Sequence, residues 1–299
     1  MVKIKLLQKS EMIDGKLLFD NGDQGFKNAI EDGIFLIRIP SYLSLTSADT
    51  FAKNFYKDLL TSPNNNKNKN KNKYYGYKSY TSENFGDPLL GFHKRKDQIE
   101  QFLLEKRFWK KCYPSDVIDI GEYLCKLSSE IITNIFLKTG LPTDIWEKAT
   151  GGCSHGKGSY HLTFNHFRPE KVTKGLSAHK DDGFITILRS NKPGLEIYKN
   201  ETWIPLIVSP QYFIINFGLS MEILTKEAEI PVSAITHRVV QQKQTQCGED
   251  RWSWGLFSSS HFDEKLDLGI YSYSSVTGQL KRLSDSREHI ERNDIEIYR

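Results

Sequence analysis

From about Gly158 onward the chain becomes a series of short strand-like runs, and this rhythm most limits what it can fold into. Runs are read at 160–168, 183–189, 195–199, 202–207, 212–217, 234–240 and 251–259. Turn residues separate them: Asn191-Lys192-Pro193-Gly194, Lys199-Asn200-Glu201 and Cys247-Gly248-Glu249-Asp250. Roughly seven or eight strands within about 100 residues predict a jelly roll or a similar double-sheet barrel. No internal repeat is visible.

Upstream the pattern is mixed. The first 60 residues alternate short strands with one helix. A buried strand over 33–40 is stopped by Pro40, and Ser47-Ala48-Asp49 opens an amphipathic helix through Phe51, Phe55 and Leu59. The tract at 64–73 contains only Asn and Lys, cannot bury anything and repels itself, so it is expected to be a flexible surface loop. Four tyrosines between Tyr74 and Tyr80 either pack against a core edge or roof a pocket. A long helix is predicted over 114–139, capped by Ser115 or Asp116, with Ile118, Leu124, Leu127, Ile131, Ile132 and Ile135 on its apolar side and Gly140 ending it.

The expectation is one domain over 1–299: a mixed helical region at 1–150, a jelly-roll catalytic core at 151–265, and a surface segment or short helix at 266–299. A chain of 299 residues can bury one large core. With 38% hydrophobic and 26% charged residues it is read as soluble and globular. No apolar run is long enough to span a bilayer, and the first residues lack the apolar core and cleavage site of a signal peptide. A net charge of +4 is too mild to argue for nucleic acid, though it suits an anionic small substrate. The four cysteines, Cys112, Cys125, Cys153 and Cys247, form no C-x-x-C pair, which points to a reducing compartment, the cytoplasm. No membrane partner is expected, and the chain is expected to be a monomer.

Within the strand-rich half, His179-Lys180-Asp181 puts an imidazole and a carboxylate at i and i+2, on one side of an extended chain. The strand that follows would hold the pair rigid. His237 lies on a strand far along the sequence, and a barrel can return it to the same mouth. Two histidines and one carboxylate with open positions are the usual ligand set of non-haem Fe(II) oxygenases. A lone H-x-D is common, and a second occurs at His261-Phe262-Asp263, followed only by His289 in a charged tail. It is set aside on placement. His161 and His166 lie on a predicted strand as core, pocket or ligand-supporting histidines; His93 and His155 are read as loop residues.

Arg251-Trp252-Ser253 repeats the i, i+2 spacing. A guanidinium grips a carboxylate with two hydrogen bonds, and a serine hydroxyl can add a third.

These residues, in this order, resemble the 2-oxoglutarate/Fe(II) oxygenases of the isopenicillin N synthase-like family. The likeness runs from Ala178-His179-Lys180-Asp181-Asp182-Gly183 through Phe213-Ile214-Ile215-Asn216-Phe217-Gly218 and Thr236-His237-Arg238-Val239 to Arg251-Trp252-Ser253. The resemblance implies a mainly β fold with flanking helices and a double-stranded β-helix (jelly-roll, cupin-like) core. It implies Fe(II) on His179, Asp181 and His237, and the distal carboxylate of 2-oxoglutarate on Arg251 and Ser253. Asn165 matches the asparagine of the family's Asn-Tyr-Tyr-Pro segment and is assigned to the co-substrate site. The chain departs from the pattern at Phe167, where a tyrosine often adds a hydrogen bond. Tyr160 is the replacement hydroxyl considered.

By this resemblance Fe(II), 2-oxoglutarate and O2 serve C–H abstraction from a small, anionic or amino-acid-derived metabolite, giving hydroxylation, desaturation or oxidative cyclisation. A kainoid synthase-like ring closure on an N-prenylated glutamate is one specific form. Three rivals stand beside it: an isopenicillin N synthase-type oxidase using no 2-oxoglutarate, a non-catalytic jelly-roll binding protein, and a zinc hydrolase. A halogenase is disfavoured because Asp181 occupies the position that halide would need. Lys78, Arg95, Arg168 and Arg189 are the cations considered for an anionic substrate, with Tyr74–Tyr80 and the C-terminal segment as covering elements.

Overall fold

The computed structural model describes residues 6–59, 73–244, 248–261 and 268–298. The Asn/Lys tract, save Lys73, lies outside the described residues, as do Cys247, Phe262 and Asp263.

The strands are β1 Lys9–Ile13, β2 Lys16–Phe19, β3 Ile34–Arg38, β4 Gly91–Lys94, β5 Ile99–Glu105, β6 Ser159–Phe167, β7 Leu176–His179, β8 Ile185–Ser190, β9 Leu195–Lys199, β10 Thr202–Pro205, β11 Tyr212–Phe217, β12 His237–Val239, β13 Trp252–Ser259, β14 Gly269–Ser274 and β15 Gln279–Asp285. They form a nine-stranded sheet in the order β2-β1-β3-β11-β8-β13-β6-β5-β4 and a four-stranded sheet in the order β10-β9-β12-β7. A separate hairpin pairs β14 with β15. The strand-rich fold with flanking helices matches the expected class.

Strand periodicity explains how one sheet serves two layers. In β6, which is buried throughout, Tyr160, Leu162 and Phe164 join the helix-side core, while His161, Thr163, Asn165 and Phe167 line a cavity on the opposite face. The helix side is covered by the long helix Ser115–Thr139, whose Val117, Ile120, Leu124, Leu127, Ile131, Ile132 and Ile135 are buried. Gly140 ends that helix at φ 77°, a left-handed conformation that costs glycine little. The expected side-chain cap is absent. Pro114 occupies the cap position, and Asp116 instead accepts hydrogen bonds from Lys73 Nζ at 2.8 Å and Tyr74 Oη at 2.6 Å.

A second apolar cluster fills the space between the sheets, with Ile34, Leu36, Ile99, Phe167, Leu195, Ile197, Ile214 and Val239 among its members. The large sheet draws on the N-terminal half as well. β3 pairs with β11, and β5 pairs with β6.

Several expectations are corrected. The helix near residue 50 spans Thr46–Asn54; Phe51 and Phe55 are buried, but Leu59 lies beyond it and is 52% exposed. A further helix, Gly22–Asp32, precedes it. Tyr77 packs into the helix-side core, 4.5 Å centroid to centroid from Phe51, so the tyrosine segment braces the core instead of roofing a pocket. The C-terminal segment is more than a surface tail. Tyr271 and Tyr273 of β14 are buried, and the helix Ser286–Tyr298 places Ile290 in the cavity between the sheets. No helix among the described residues is long and apolar enough to cross a membrane.

Candidate metal centre

β7 and β12 are hydrogen-bonded neighbours, and His179 and His237 face each other in register. Their ring centroids lie 4.4 Å apart. Asp181 lies two residues past the end of β7 and reaches from the small sheet towards the large one. Its Oδ1 is 3.5 Å from His179 Nε2 and 3.6 Å from His237 Nε2. One ligand atom from each of the three residues falls within 4.8 Å of the others, the only such group of three or more found among the described residues.

The hydrogen bonds behind these atoms fix which lone pairs are free. His179 Nδ1 meets the Ser177 carbonyl at 2.8 Å, and His237 Nδ1 meets the Ile235 carbonyl at 3.2 Å. A carbonyl only accepts, so both Nδ1 atoms donate, and each ring in its neutral form turns an Nε2 lone pair inward. Asp181 Oδ2 accepts from Thr186 Oγ1 at 2.5 Å and from Asn216 Nδ2 at 2.5 Å. That leaves Oδ1 facing the two imidazoles. Thr186 and Asn216 are register partners on β8 and β11, so the large sheet sets the carboxylate's orientation. Thr186 carries no motif signal in the sequence, whereas Asn216 is a lone amide in the otherwise apolar run Tyr212–Phe217.

The electrostatics agree with a cation site. Burial would raise the carboxyl pKa of Asp181, but His237, His179 and the Thr186 hydrogen bond hold it well below the ordinary range. Burial together with the charge of His179 lowers His237. At His179 burial is outweighed by the hydrogen bond and charge of Asp181, which raise it.

Close backbone approach builds the turn that carries Asp181. A Cβ on Gly218 would collide with the Gly183 carbonyl and lie 2.8 Å from the Asp181 carbonyl. Only glycine allows the end of β11 to pass this close.

Arg251, Ser253 and Asn165 line the same cavity as the three ligand candidates. Arg251 is 3% exposed, and its Nε and Nη1 have no hydrogen-bond partner. Burial lowers its pKa to about 9. Burying guanidinium N–H groups without acceptors is costly, and an anion in the cavity would offset that cost. Ser253 Oγ accepts from Asn165 Nδ2 at 3.4 Å. Phe167 lies beneath the guanidinium instead of offering a hydroxyl, with Arg251 Cζ 4.3 Å from its ring centroid. Tyr160 cannot replace the missing tyrosine. It points to the helix layer and donates to the Cys153 carbonyl at 3.0 Å.

The remaining candidates separate cleanly. Arg189 is paired with Asp49 at 2.9 Å, and Arg168 donates to the backbone carbonyls of Arg95, Asp97, Gln98 and Ile99. Lys78 is exposed and away from the cavity, and of the four cations considered Arg95 alone lines it. His161 also lines it; burial lowers its pKa to about 4, so it is neutral near pH 7. His166 is on the opposite face, stacked on Tyr56 and bonded to Glu100 at 2.8 Å and Asp250 at 3.1 Å. His93 sits on β4 rather than in a loop, and His155 is exposed.

Jasmonate-induced oxygenase 2 of Arabidopsis thaliana is 33% identical over 162 residues, 52% of this chain and 40% of that protein. Flavonol synthase 1 of Crocosmia x crocosmiiflora is 28% identical over 146 residues, 47% of this chain and 41% of that protein. The chain thus spans well under half the length of these relatives. The crystal structure of JOX2 in complex with 2OG, Fe and JA shares the fold with a TM-score of 0.64 at 19% identity, covering 98% of this chain and 92% of that one. The dioxygenase for auxin oxidation of rice does so with a TM-score of 0.64 at 15% identity, covering 97% and 95%. The double-stranded β-helix core of this chain, through residues 159–260, matches the 2OG-Fe(II) oxygenase superfamily.

Proposed function

We propose that this chain is an Fe(II)- and 2-oxoglutarate-dependent oxygenase acting on a small metabolite. The observation that carries the reading is the pairing, in one cavity, of a His-Asp-His cluster with a buried guanidinium whose Nε and Nη1 have no hydrogen-bond partner. In this reading His179, Asp181 and His237 hold Fe(II). Arg251 and Ser253 hold the distal carboxylate of 2-oxoglutarate, with Asn165 behind Ser253. The donor set fits: two inward Nε2 lone pairs and one carboxylate oxygen leave other coordination positions open. When bound, the iron and 2-oxoglutarate supply the oxidising power, with O2 consumed, succinate and CO2 released and a substrate C–H bond broken.

The protein's own share is orientation and exclusion of water. Thr186 and Asn216 keep Asp181 from rotating, and the two backbone carbonyls keep the imidazoles in one tautomer. Leu89, Leu103, Phe257 and Ile290 give the cavity an apolar wall where a metabolite would sit. Kainoid-type ring closure would bring a substrate with two carboxylates. The lining offers Arg95 as the one cation besides Arg251 among the described residues. A largely apolar metabolite with a single acidic group suits that lining more directly. Hydroxylation, desaturation and cyclisation all remain reactions of this one site.

The test is anaerobic titration of the metal-loaded protein with 2-oxoglutarate, followed by admission of O2 and assay of succinate. Saturable binding and O2-dependent succinate are expected. An isopenicillin N synthase-type oxidase would consume O2 without releasing succinate. A non-catalytic binding protein would bind neither Fe(II) nor 2-oxoglutarate productively.

A further inference from the structure

A ladder of four side chains crosses the cavity wall and ends at Ser253. Arg95, in the turn between β4 and β5, donates from Nη2 to Gln101 Oε1 at 3.3 Å. Gln101 Nε2 donates to Asn165 Oδ1 at 3.0 Å, and Asn165 Nδ2 donates to Ser253 Oγ at 3.4 Å. The register of the large sheet makes this possible, because Asn165 lies opposite both Gln101 on β5 and Ser253 on β13. Gln101, Asn165 and Ser253 are only 8%, 7% and 3% exposed, so bulk water is in no position to rearrange the bonds.

The direction of this ladder is not free. A guanidinium has donors and no acceptor. Arg95 therefore obliges Gln101 to present its oxygen, which turns the Gln101 amide NH2 towards Asn165. Asn165 must in turn present its oxygen to Gln101 and its NH2 to Ser253. Ser253 Oγ then accepts, and its own O–H is left to donate elsewhere. The side chain lines the same cavity as Arg251, two residues earlier in the chain.

We infer that Arg95 and Gln101 are positioning residues that set the polarity of the ladder so that Ser253 donates its hydroxyl proton to the carboxylate held by Arg251. The inference rests on the 2-oxoglutarate reading above. Neither residue needs to touch the acid. They act through Asn165, and what they control is whether Ser253 is a donor or an acceptor. A reversed ladder would turn the Asn165 oxygen to Ser253, which would then spend its proton on that amide.

Gln101→Glu is the reversing substitution. A carboxylate at 101 still accepts from Arg95 but cannot donate to Asn165, so the Asn165 amide turns over. The measurement is calorimetric affinity for 2-oxoglutarate in the Mn(II)-loaded protein without O2, for wild type, Gln101→Glu, Ser253→Ala and the double variant. Each single substitution is expected to weaken binding about tenfold or more, the scale of one hydrogen bond to a charged group. The double variant should match Ser253→Ala within about twofold, because the two changes remove the same bond. Mn(II) affinity should stay unchanged throughout. Equal weakening by Gln101→Glu in the Ser253→Ala background would show plain charge repulsion and overturn the inference, as would no weakening at all. Gln101→Leu, which adds no charge, enters the same cycle if Gln101→Glu does not fold, with a smaller loss that should also vanish without Ser253. Absence of 2-oxoglutarate binding by the wild type would instead remove the co-substrate reading, and the ladder's role with it.

Discussion

Arg251 holds its guanidinium over the face of Phe167, with Cζ 4.3 Å from the ring centroid, and both side chains are buried between the two sheets. A ring in this position attracts the cation through its quadrupole and holds the guanidinium at the cavity wall. Phe167 thus supports the proposed anion site by holding Arg251 rather than by a hydrogen bond. Phe167→Leu removes the π face while retaining most of the apolar bulk. It is expected to weaken 2-oxoglutarate binding by about 2- to 30-fold, the equivalent of ~0.5–2 kcal/mol, with metal affinity unchanged. Calorimetric titration of the two ligands separately checks this.

The same guanidinium is a liability when no anion is present. Burial lowers its pKa from 12.5 to about 9, so the folded state disfavours its charge. The sign follows from linkage: relative to the unfolded chain, this group's contribution to stability grows as pH rises from about 9 towards 12.5 and is lost as pH falls through 9. Arg251→Met is expected to make the ligand-free protein more stable by about 1–3 kcal/mol while abolishing 2-oxoglutarate binding. Urea unfolding with and without 2-oxoglutarate separates the effects. The wild type should gain stability from the acid, and the variant should not.

His161 predicts behaviour in acid. Its pKa falls from 6.5 to about 4, with burial the main cause. Below pH 6.5 the unfolded chain takes up a proton that the folded chain refuses until about pH 4. Stability is therefore fully present above 6.5 and lost as pH falls through 4, by about 3 kcal/mol from this residue at most. His161→Gln should lose less stability than the wild type between pH 7 and pH 4 in matched denaturant titrations.

At the turn carrying Asp181 the backbone is the constraint. Gly218→Ala would drive a methyl group into the Gly183 carbonyl, displacing the segment that positions the carboxylate. A loss of about 1–3 kcal/mol in stability is expected. Metal affinity should fall as well, because Asp181 Oδ1 shifts against the two Nε2 atoms. Thermal unfolding and Fe(II) titration of the variant check both.

The His-Asp-His cluster was legible because extended-chain geometry is written directly into spacing, even though Asp181 lies beyond the end of β7. His179 and Asp181 at i and i+2 share a side in any extended chain, and His237 lay in a run that had to be a strand. Even so, β12 is only His237–Val239, shorter than the run read at 234–240. What surrounds the cluster was harder to see. β5 carries buried Glu100, Gln101 and Glu105, so its inward positions do not read as apolar and Gln101 went unnoticed. β15 is mostly exposed, which hid the C-terminal hairpin. The tyrosines at 74–80 could not be placed by composition, since a core edge and a pocket roof demand the same residues. Pairing with distant partners settles such cases: Arg189 with Asp49, Arg168 with four backbone carbonyls, and Tyr160 with Cys153 all depend on contacts that no local pattern encodes.

Metal-dependent turnover tests the central claim most directly. Succinate is measured from 2-oxoglutarate under O2 for the Fe(II)-loaded wild type and for His179→Ala. Succinate formation that needs both Fe(II) and O2, and that disappears in the variant together with Fe(II) binding, is the predicted result. Undiminished O2-dependent succinate formation by His179→Ala would contradict the assignment of His179, Asp181 and His237 as the iron site.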